Sequence, residues 1–301
     1  VSDQPDPART LPLVRPVTMI GNPVEENPID LLFNRFYEHL EVPLHFLKSH
    51  VDGPEQLGEC LRGAGALGFS YVCITVPYKE AIIEHLDEIA SESRGIGAIN
   101  FVDFVGDDRR TVGVNTDGPA LAGSIEIKAE IEGARICILG AGGAARGVGA
   151  ELARRGARSI ALGAIELRQG EAVAEMLRGF GSEGSGFESS VLDWQGELTI
   201  PEGTDIVINA TPVGAAPELD ELALDWDSLA HARVAVDVIT GPRCTGFLAR
   251  ADGLGLTTVD GIDMLVDIVH VDLGRRDFDV AREEIDDYAR ELTGEPVATG
   301  S

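Results

Sequence analysis

A lysine backed by a carboxylate can take the proton of a hydroxyl group while a hydride leaves the same carbon, and this chain holds the parts of such a pair. Lysine is scarce: Lys48, Lys79 and Lys128 are the only ones among 301 residues, so a lysine inside a patterned segment carries information. Lys79 stands in Thr75-Val76-Pro77-Tyr78-Lys79-Glu80, Asp117 in Asn115-Thr116-Asp117-Gly118, and Asn100 closes Gly97-Ala98-Ile99-Asn100. All three segments fall at junctions between expected elements, where one sheet edge can bring side chains together. Taken singly, Lys79 also reads as a surface charge and Asp117 as a helix cap.

A second constellation concerns a nucleotide. Gly140-Ala141-Gly142-Gly143-Ala144-Ala145 matches the G-x-G-x-x-[GA] pattern. It follows an apolar run and opens an amphipathic one, the context in which the pattern has meaning. Gly140 permits the tight turn, Gly142 lets backbone approach a pyrophosphate, and Ala145 allows close helix-on-strand packing, while the free N–H groups of the helix start attract phosphate. The competing reading is a tight strand-to-helix turn with no ligand. Selection between NAD and NADP is read at the end of the second strand, where an acid bonds the ribose hydroxyls or an arginine holds a 2′-phosphate. Ile160 to Arg168 offers neither at that position, and Glu166 and Arg168 come slightly later. With no arginine cluster, the expectation leans to NAD, although Glu166 equally suits the first turn of a helix.

The elements that must position these residues alternate. Pro16 to Asn22 reads as a strand, Pro28 to Leu40 as a helix and Pro43 to Leu47 as a strand. Pro54 to Arg62 reads as a helix, Phe69 to Thr75 as a strand, and Pro77 as the first turn of a new helix. A hairpin is expected from Ala98 to Phe104 and Arg110 to Val114 around Gly106, followed by a linking helix from Thr116 to Lys128. Strands at 135–139, 159–162, 205–209, 234–238 and 257–259, with helices at 143–155 and 167–178, describe a mostly parallel sheet, and Gly181 to Ser190 reads as a loop. The fold class is α/β in two domains. Residues 1–117 form an α/β substrate domain and 118–261 a Rossmann dinucleotide-binding domain, with the helices of 262–301 packing back on the first domain to close a cleft.

Composition narrows the partners. A balance of 24 basic against 51 acidic side chains gives a net charge of -27, which repels nucleic acid and anionic membranes. No stretch approaches the length of a membrane span and residues 1–10 lack a signal-peptide pattern, so the expected setting is the cytoplasm, as a monomer or homodimer. Cys60, Cys73, Cys137 and Cys244 contain no C-x-x-C pair, and the six histidines no metal-ligand pattern, so no metal is expected.

In their order these segments resemble the shikimate dehydrogenase family, from near the N-terminus to about Leu273. The matching residues are Gly21-Asn22-Pro23, Thr75-Val76-Pro77-Tyr78-Lys79, Asn115-Thr116-Asp117-Gly118, Gly140 to Arg146, Asn209-Ala210-Thr211-Pro212-Val213-Gly214, and Gly261-Ile262-Asp263-Met264-Leu265. The resemblance implies an NAD(P)-dependent dehydrogenase acting on shikimate, quinate or a related cyclic alcohol or hydroxy acid. It makes Lys79 the general acid/base, with Asp117 holding its ammonium and bonding the substrate hydroxyl. Asn100 and Thr75 would orient ring hydroxyls, with Asn27, Thr240 and Ile268 also at the substrate. Asn209, Thr211 and Gly261 would join residues 140–145 at the cofactor.

The chain also departs from the family pattern. Where the family grips a carboxylate with two serines in Ser-x-Ser-Pro, this chain has Val24-Glu25-Glu26-Asn27-Pro28, whose acids repel a carboxylate. Cys73 replaces an asparagine, Thr240 a tyrosine and Ile268 a glutamine. Losing several polar partners of a polyol points to an altered substrate, with Glu25 and Glu26 facing a hydroxyl-rich or cationic group. The alternative is a non-catalytic nucleotide-binding sensor on the same fold, against which the joint retention of Lys79, Asn100 and Asp117 argues.

Overall fold

The computed structural model describes residues 13–25, 27–182, 184, 186–216 and 220–293. Two six-stranded sheets organise it. The first is built from β1 (Arg15–Gly21), α1 (Ile29–His39), β2 (Leu44–His50), α2 (Leu57–Ala66), β3 (Tyr71–Ile74), β4 (Glu88–Ile89), β5 (Phe101–Val105) and β6 (Arg110–Val114), in strand order β2-β1-β3-β5-β6-β4. It is mixed: β1 runs parallel to β2 and β3, while β5 is antiparallel to both β3 and β6. The apolar runs of β1 and β3 are buried, as central strands covered on two faces must be.

After α3 (Asp117–Glu126) come β7 (Arg135–Leu139), α4 (Gly143–Arg154), β8 (Ser159–Ala164), α5 (Leu167–Arg178), β9 (Glu188–Asp193), β10 (Ile206–Asn209), α6 (Trp226–Leu229), β11 (Val234–Asp237), α7 (Gly246–Gly253) and β12 (Thr257–Val259). Their order β12-β11-β10-β7-β8-β9 is parallel throughout. The order reverses between β7 and β10, and a crevice outside the carboxyl ends of the strands at such a switch point is where open α/β sheets bind ligands. The chain then returns through α8 (Gly261–Arg275) and α9 (Arg282–Thr293). Ile262, Leu265, Val266, Val269 and Leu273 of α8 and Ile285 and Ala289 of α9 share one core with Val17, Phe33 and Phe101 of the first sheet. Met264, by contrast, packs into the core of the second.

Two local expectations are corrected, and one strand is added. Pro77 does not open a helix: it follows a cis peptide bond and sits in a turn, and the next helical residues form a short 3-10 turn at Ala81–His85. The Lys79 carbonyl accepts from Ile99 N at 2.8 Å, which withdraws it from any helical ladder. The segment read as a loop from Gly181 to Ser190 ends in strand β9, which pairs with β8 along its whole length. Its Ser and Glu content reflects an edge position, where polar side chains are tolerated. The two-residue strand β4 has no sequence signal, being held by parallel pairing with β6.

Candidate active site

Asp117 opens α3, where the positive end of the helix favours a carboxylate, and only 1% of its side chain is exposed. Lys79, on the turn after β3, donates from Nζ to Asp117 Oδ2 at 2.6 Å. Asn100 sits between β3 and β6 and donates from Nδ2 to Asp117 Oδ1 and Thr116 Oγ1, both at 2.9 Å, while its Oδ1 accepts from Thr116 N at 2.8 Å. Both amide hydrogens of Asn100 are thus spent on holding Asp117 and the turn before it, leaving one acceptor position. The arrangement is a buried carboxylate clamped by an amide, with an ammonium at its outer oxygen: a proton can be exchanged at Nζ while Asp117 stabilises the charged form. Asn115 contributes by donating to the Ala98 carbonyl at 2.9 Å and accepting from the Gly118 N–H, which ties the dyad segments to each other. Cys73 lies deeper on β3; burial pushes its thiol up, and it stays uncharged beside the dyad.

The glycine loop lies against this pair. A Cβ at Gly143 would meet Lys79 Cβ at 3.0 Å and Ala98 Cβ at 3.6 Å. Gly140 has a φ of 107°, and its backbone N–H is bound to the Gly163 carbonyl at 2.8 Å. A Cβ there would press on Thr211 Cγ2 at 3.1 Å, whereas Gly142 faces open space. Helix α4 has no side-chain cap at Gly142, and Ala145 is fully buried beneath it. Ala141, Gly143 and Ala144 complete this turn. An uncapped helix start beside an open glycine is a cradle that fits a pyrophosphate.

Asn209 ends β10 and is fully buried. Its Nδ2 donates to both oxygens of Asp237 at 3.1 and 3.2 Å, and its Oδ1 accepts from Thr211 N and Oγ1. Asn209 and Thr211 therefore stiffen the 209–214 loop beside Gly140 with bonds inside the protein. Asp237 also accepts from Thr245 Oγ1 at 2.7 Å and Ile239 N at 3.1 Å. Gly261 begins α8 directly on the Ile239-Thr240 peptide, and any Cβ at that position would overlap the Ile239 carbonyl.

On the substrate side, Thr75 is half-buried against Gly21, whose chain continues into the 22–28 loop. Asn22 N donates to the Val76 carbonyl at 2.9 Å, and Val24 is buried in the core with Ile29 and Phe33. Glu25 is turned back on its own loop: its Oε2 accepts from Val24 N at 3.0 Å, and its Oε1 lies 4.0 Å from His50 Nδ1. The backbone N–H groups of Glu25 itself and of Val24 hold its carboxyl below the usual range. Glu26 lies outside the described residues. Asn27 Oδ1 accepts from Ile29 N at 3.0 Å at the start of α1, and Lys48 Nζ binds the Glu25 and Asn27 carbonyls. Thr240 is half-buried beside Gly261, and Ile268 packs between the cores of both sheets. The supporting residues missed in the sequence are Thr116 and Asp237, whose parts emerge only from side-chain bonds across elements. Among the described residues no helix is long and apolar enough to cross a membrane.

Comparisons with known proteins point the same way. The family profile described as shikimate dehydrogenase substrate binding domain matches residues 19–102. A shikimate dehydrogenase (NADP(+)) of Desulfitobacterium hafniense (strain Y51) is 35% identical over 256 residues, 84% of this chain and 89% of that protein. One from Methanothermobacter thermautotrophicus is 32% identical over 249 residues, 82% of this chain and 86% of that protein. Among solved structures, a ligand-free 5-ketofructose reductase of Gluconobacter sp. strain CHM43 superposes with a TM-score of 0.79 at 29% identity, covering 93% of this chain and 99% of the other. A shikimate dehydrogenase in complex with NADP+ gives a TM-score of 0.79 at 28% identity, with 93% and 96% coverage. With the mixed and parallel sheets in place and relatives above 30% identity along most of its length, the chain belongs to the shikimate dehydrogenase family of NAD(P)-dependent oxidoreductases.

Proposed function

We propose that this enzyme moves a hydride between NAD and a secondary hydroxyl of a neutral cyclic polyol, or the ketone formed from it, with Lys79 as general acid/base. The observation that carries this reading is an intact Lys79-Asp117-Asn100 cluster in a chain whose Glu25-Glu26-Asn27-Pro28 segment has no serine where the family presents two to a carboxylate. When bound, the dinucleotide supplies or accepts the hydride. Lys79 as a neutral amine takes the hydroxyl proton in the oxidising direction, and as an ammonium returns it to the carbonyl oxygen in the reducing direction. Asp117 stabilises the ammonium, and Asn100 fixes Asp117. Gly140 to Ala145 hold the pyrophosphate, and Asn209, Thr211 and Gly261 shape the wall near the reacting end. Thr75, Thr240 and Ile268 line the substrate side in this reading, with Asn27 shaping the loop. The substrate domain ends at 117, and the Rossmann domain spans 118–261.

NAD is favoured because β8 ends at Ala164, paired in register with Asp193 of β9, and Glu166 follows at the start of α5. Two carboxylates against Arg168 disfavour a 2′-phosphate. The relatives named for NADP(+) and shikimate support a second reading, in which shikimate remains the substrate. The likeness to a ketose reductase supports the neutral one. The test is NAD(P)H-linked turnover over shikimate, quinate, neutral cyclitols and 5-ketofructose, with NADH and NADPH affinities measured by fluorescence titration. A neutral compound is expected to exceed shikimate in kcat/KM by about tenfold or more, with NADH binding tighter than NADPH. Faster turnover of shikimate contradicts the substrate reading, and no turnover of any compound favours a sensor.

A further inference from the structure

Arg146 and Glu80 belong to the two segments the chemistry must bring together. Arg146 lies on the first turn of α4, three residues after the glycine that faces Lys79, and Glu80 is the neighbour of Lys79 itself. Across the cleft, Arg146 Nε stands 3.2 Å from Glu80 Oε2, with the arginine side chain 16% exposed. Its Nη1 rests 3.1 Å from where a Cβ would stand on Gly97, a residue of positive φ in the strand-to-strand segment that leads to Asn100. The Nε atom is buried without a well-aligned hydrogen bond, so the pair is formed yet has bonding capacity left. A second contact runs beside it: Arg154 Nη2 donates to the Glu92 carbonyl at 2.8 Å, and its guanidinium lies 4.6 Å above the Phe180 ring.

We propose that the Arg146–Glu80 bridge positions the Lys79 turn against the phosphate loop, so that the nucleotide-binding helix sets the placement of the general acid/base. Arg146 and Glu80 are positioning residues, since neither touches the dyad directly. The Lys79 carbonyl is taken by Ile99 N, so the turn, closed by bonds from Tyr78 N to the Thr75 carbonyl and from Ile82 N to the Tyr78 carbonyl, does not run on as a continuous helix. The turn is anchored on one side by Asp117 and on the other by Glu80. Loss of either anchor lets Nζ wander, and a displacement of about an ångström from reacting geometry is costly in rate. This inference rests on the dehydrogenase reading for its kinetic arm.

The test is a double-mutant cycle of E80Q and R146Q with the reversed pair E80R/R146E, read in two ways. The first is trace acetylation of Lys79 by mass spectrometry in the nucleotide-free chain, with Lys48 and Lys128 as internal references. E80Q removes a negative charge near Lys79 and R146Q a positive one, so a purely electrostatic effect moves the two labelling rates in opposite directions. Release of the turn raises both, by about threefold, with no further rise in the double variant. The second is turnover with the best substrate: each single variant is expected to lower kcat about fivefold with little change in substrate KM, the double to be no worse, and the reversed pair to recover most of the rate. Opposite labelling shifts, multiplying effects, or a loss confined to NADH affinity in R146Q overturn the proposal, the last because it makes Arg146 a phosphate ligand alone. If no substrate turns over, the dehydrogenase reading fails and the labelling arm still decides the bridge.

Discussion

Asp237 shows how much of the site's stiffness rests on single buried groups. Desolvation pushes its carboxyl up to about 6 despite bonds from Thr245, Ile239 and Asn209 that favour the charge. An unfolded aspartate titrates near 4, so between roughly pH 4 and 6 the native chain binds more protons than the unfolded one. The contribution of Asp237 to stability therefore falls as pH rises through that window and is level above it. Urea unfolding is expected to show this component, of about 3 kcal/mol, in the wild type and not in Asp237→Asn; equal pH slopes in the two proteins would count against it. At this scale the dyad was legible because Lys79, Asn100 and Asp117 sit in patterned segments. The duty of Asn100 was not, since nothing in its neighbours announces that both amide hydrogens go to Thr116 and Asp117.

Elements were read well wherever one principle dominated. Strands β7, β8, β10 and β11 are apolar and α5 strongly amphipathic, and their spans fall close to expectation. The Lys79 turn was misjudged because proline at a first helical turn is only a local preference, overruled by the Ile99-to-Lys79 backbone bond 20 residues away. Edge strand β9 was missed because exposure removes the alternation that marks a strand. A sharp prediction attaches to α8. Gly261→Ala forces the helix start off the Ile239 carbonyl, and thermal unfolding should show a loss of about 2 to 4 kcal/mol. Because Thr240 and Ile268 ride on the same contact, substrate KM should rise with it. An unchanged melting temperature would mean the contact is not as close as described.

Across the whole molecule, α8 is the part shared by both sheets. Its C-terminal end carries Asp272, fully buried, which binds Arg275 and Arg276, and both arginines reach Asp103 on β5 of the first sheet. Arg276 also stacks on Tyr71, 3.5 Å from the ring centroid. Asp272→Ala leaves a partly paired buried guanidinium and is expected to cost about 3 kcal/mol in chemical denaturation. Against these local attractions stands a net charge of -27, whose self-repulsion is long-ranged. Raising KCl from about 0.05 to 1 M shortens the screening length from roughly 14 to 3 Å, so the melting temperature should rise. A fall would show that specific ion pairs outweigh repulsion. This balance was visible in composition, whereas the pairing of Asp272 with Asp103 through two arginines joins residues 169 apart and left no trace in sequence.

In the proposed reaction Lys79 handles the proton, while the nucleotide is held by other residues. Lys79→Ala, with its fold checked by thermal unfolding, should lose about 10³-fold in kcat and keep its NADH dissociation constant within about threefold of wild type. A variant that binds NADH normally and turns over within tenfold of the wild-type rate would contradict the account.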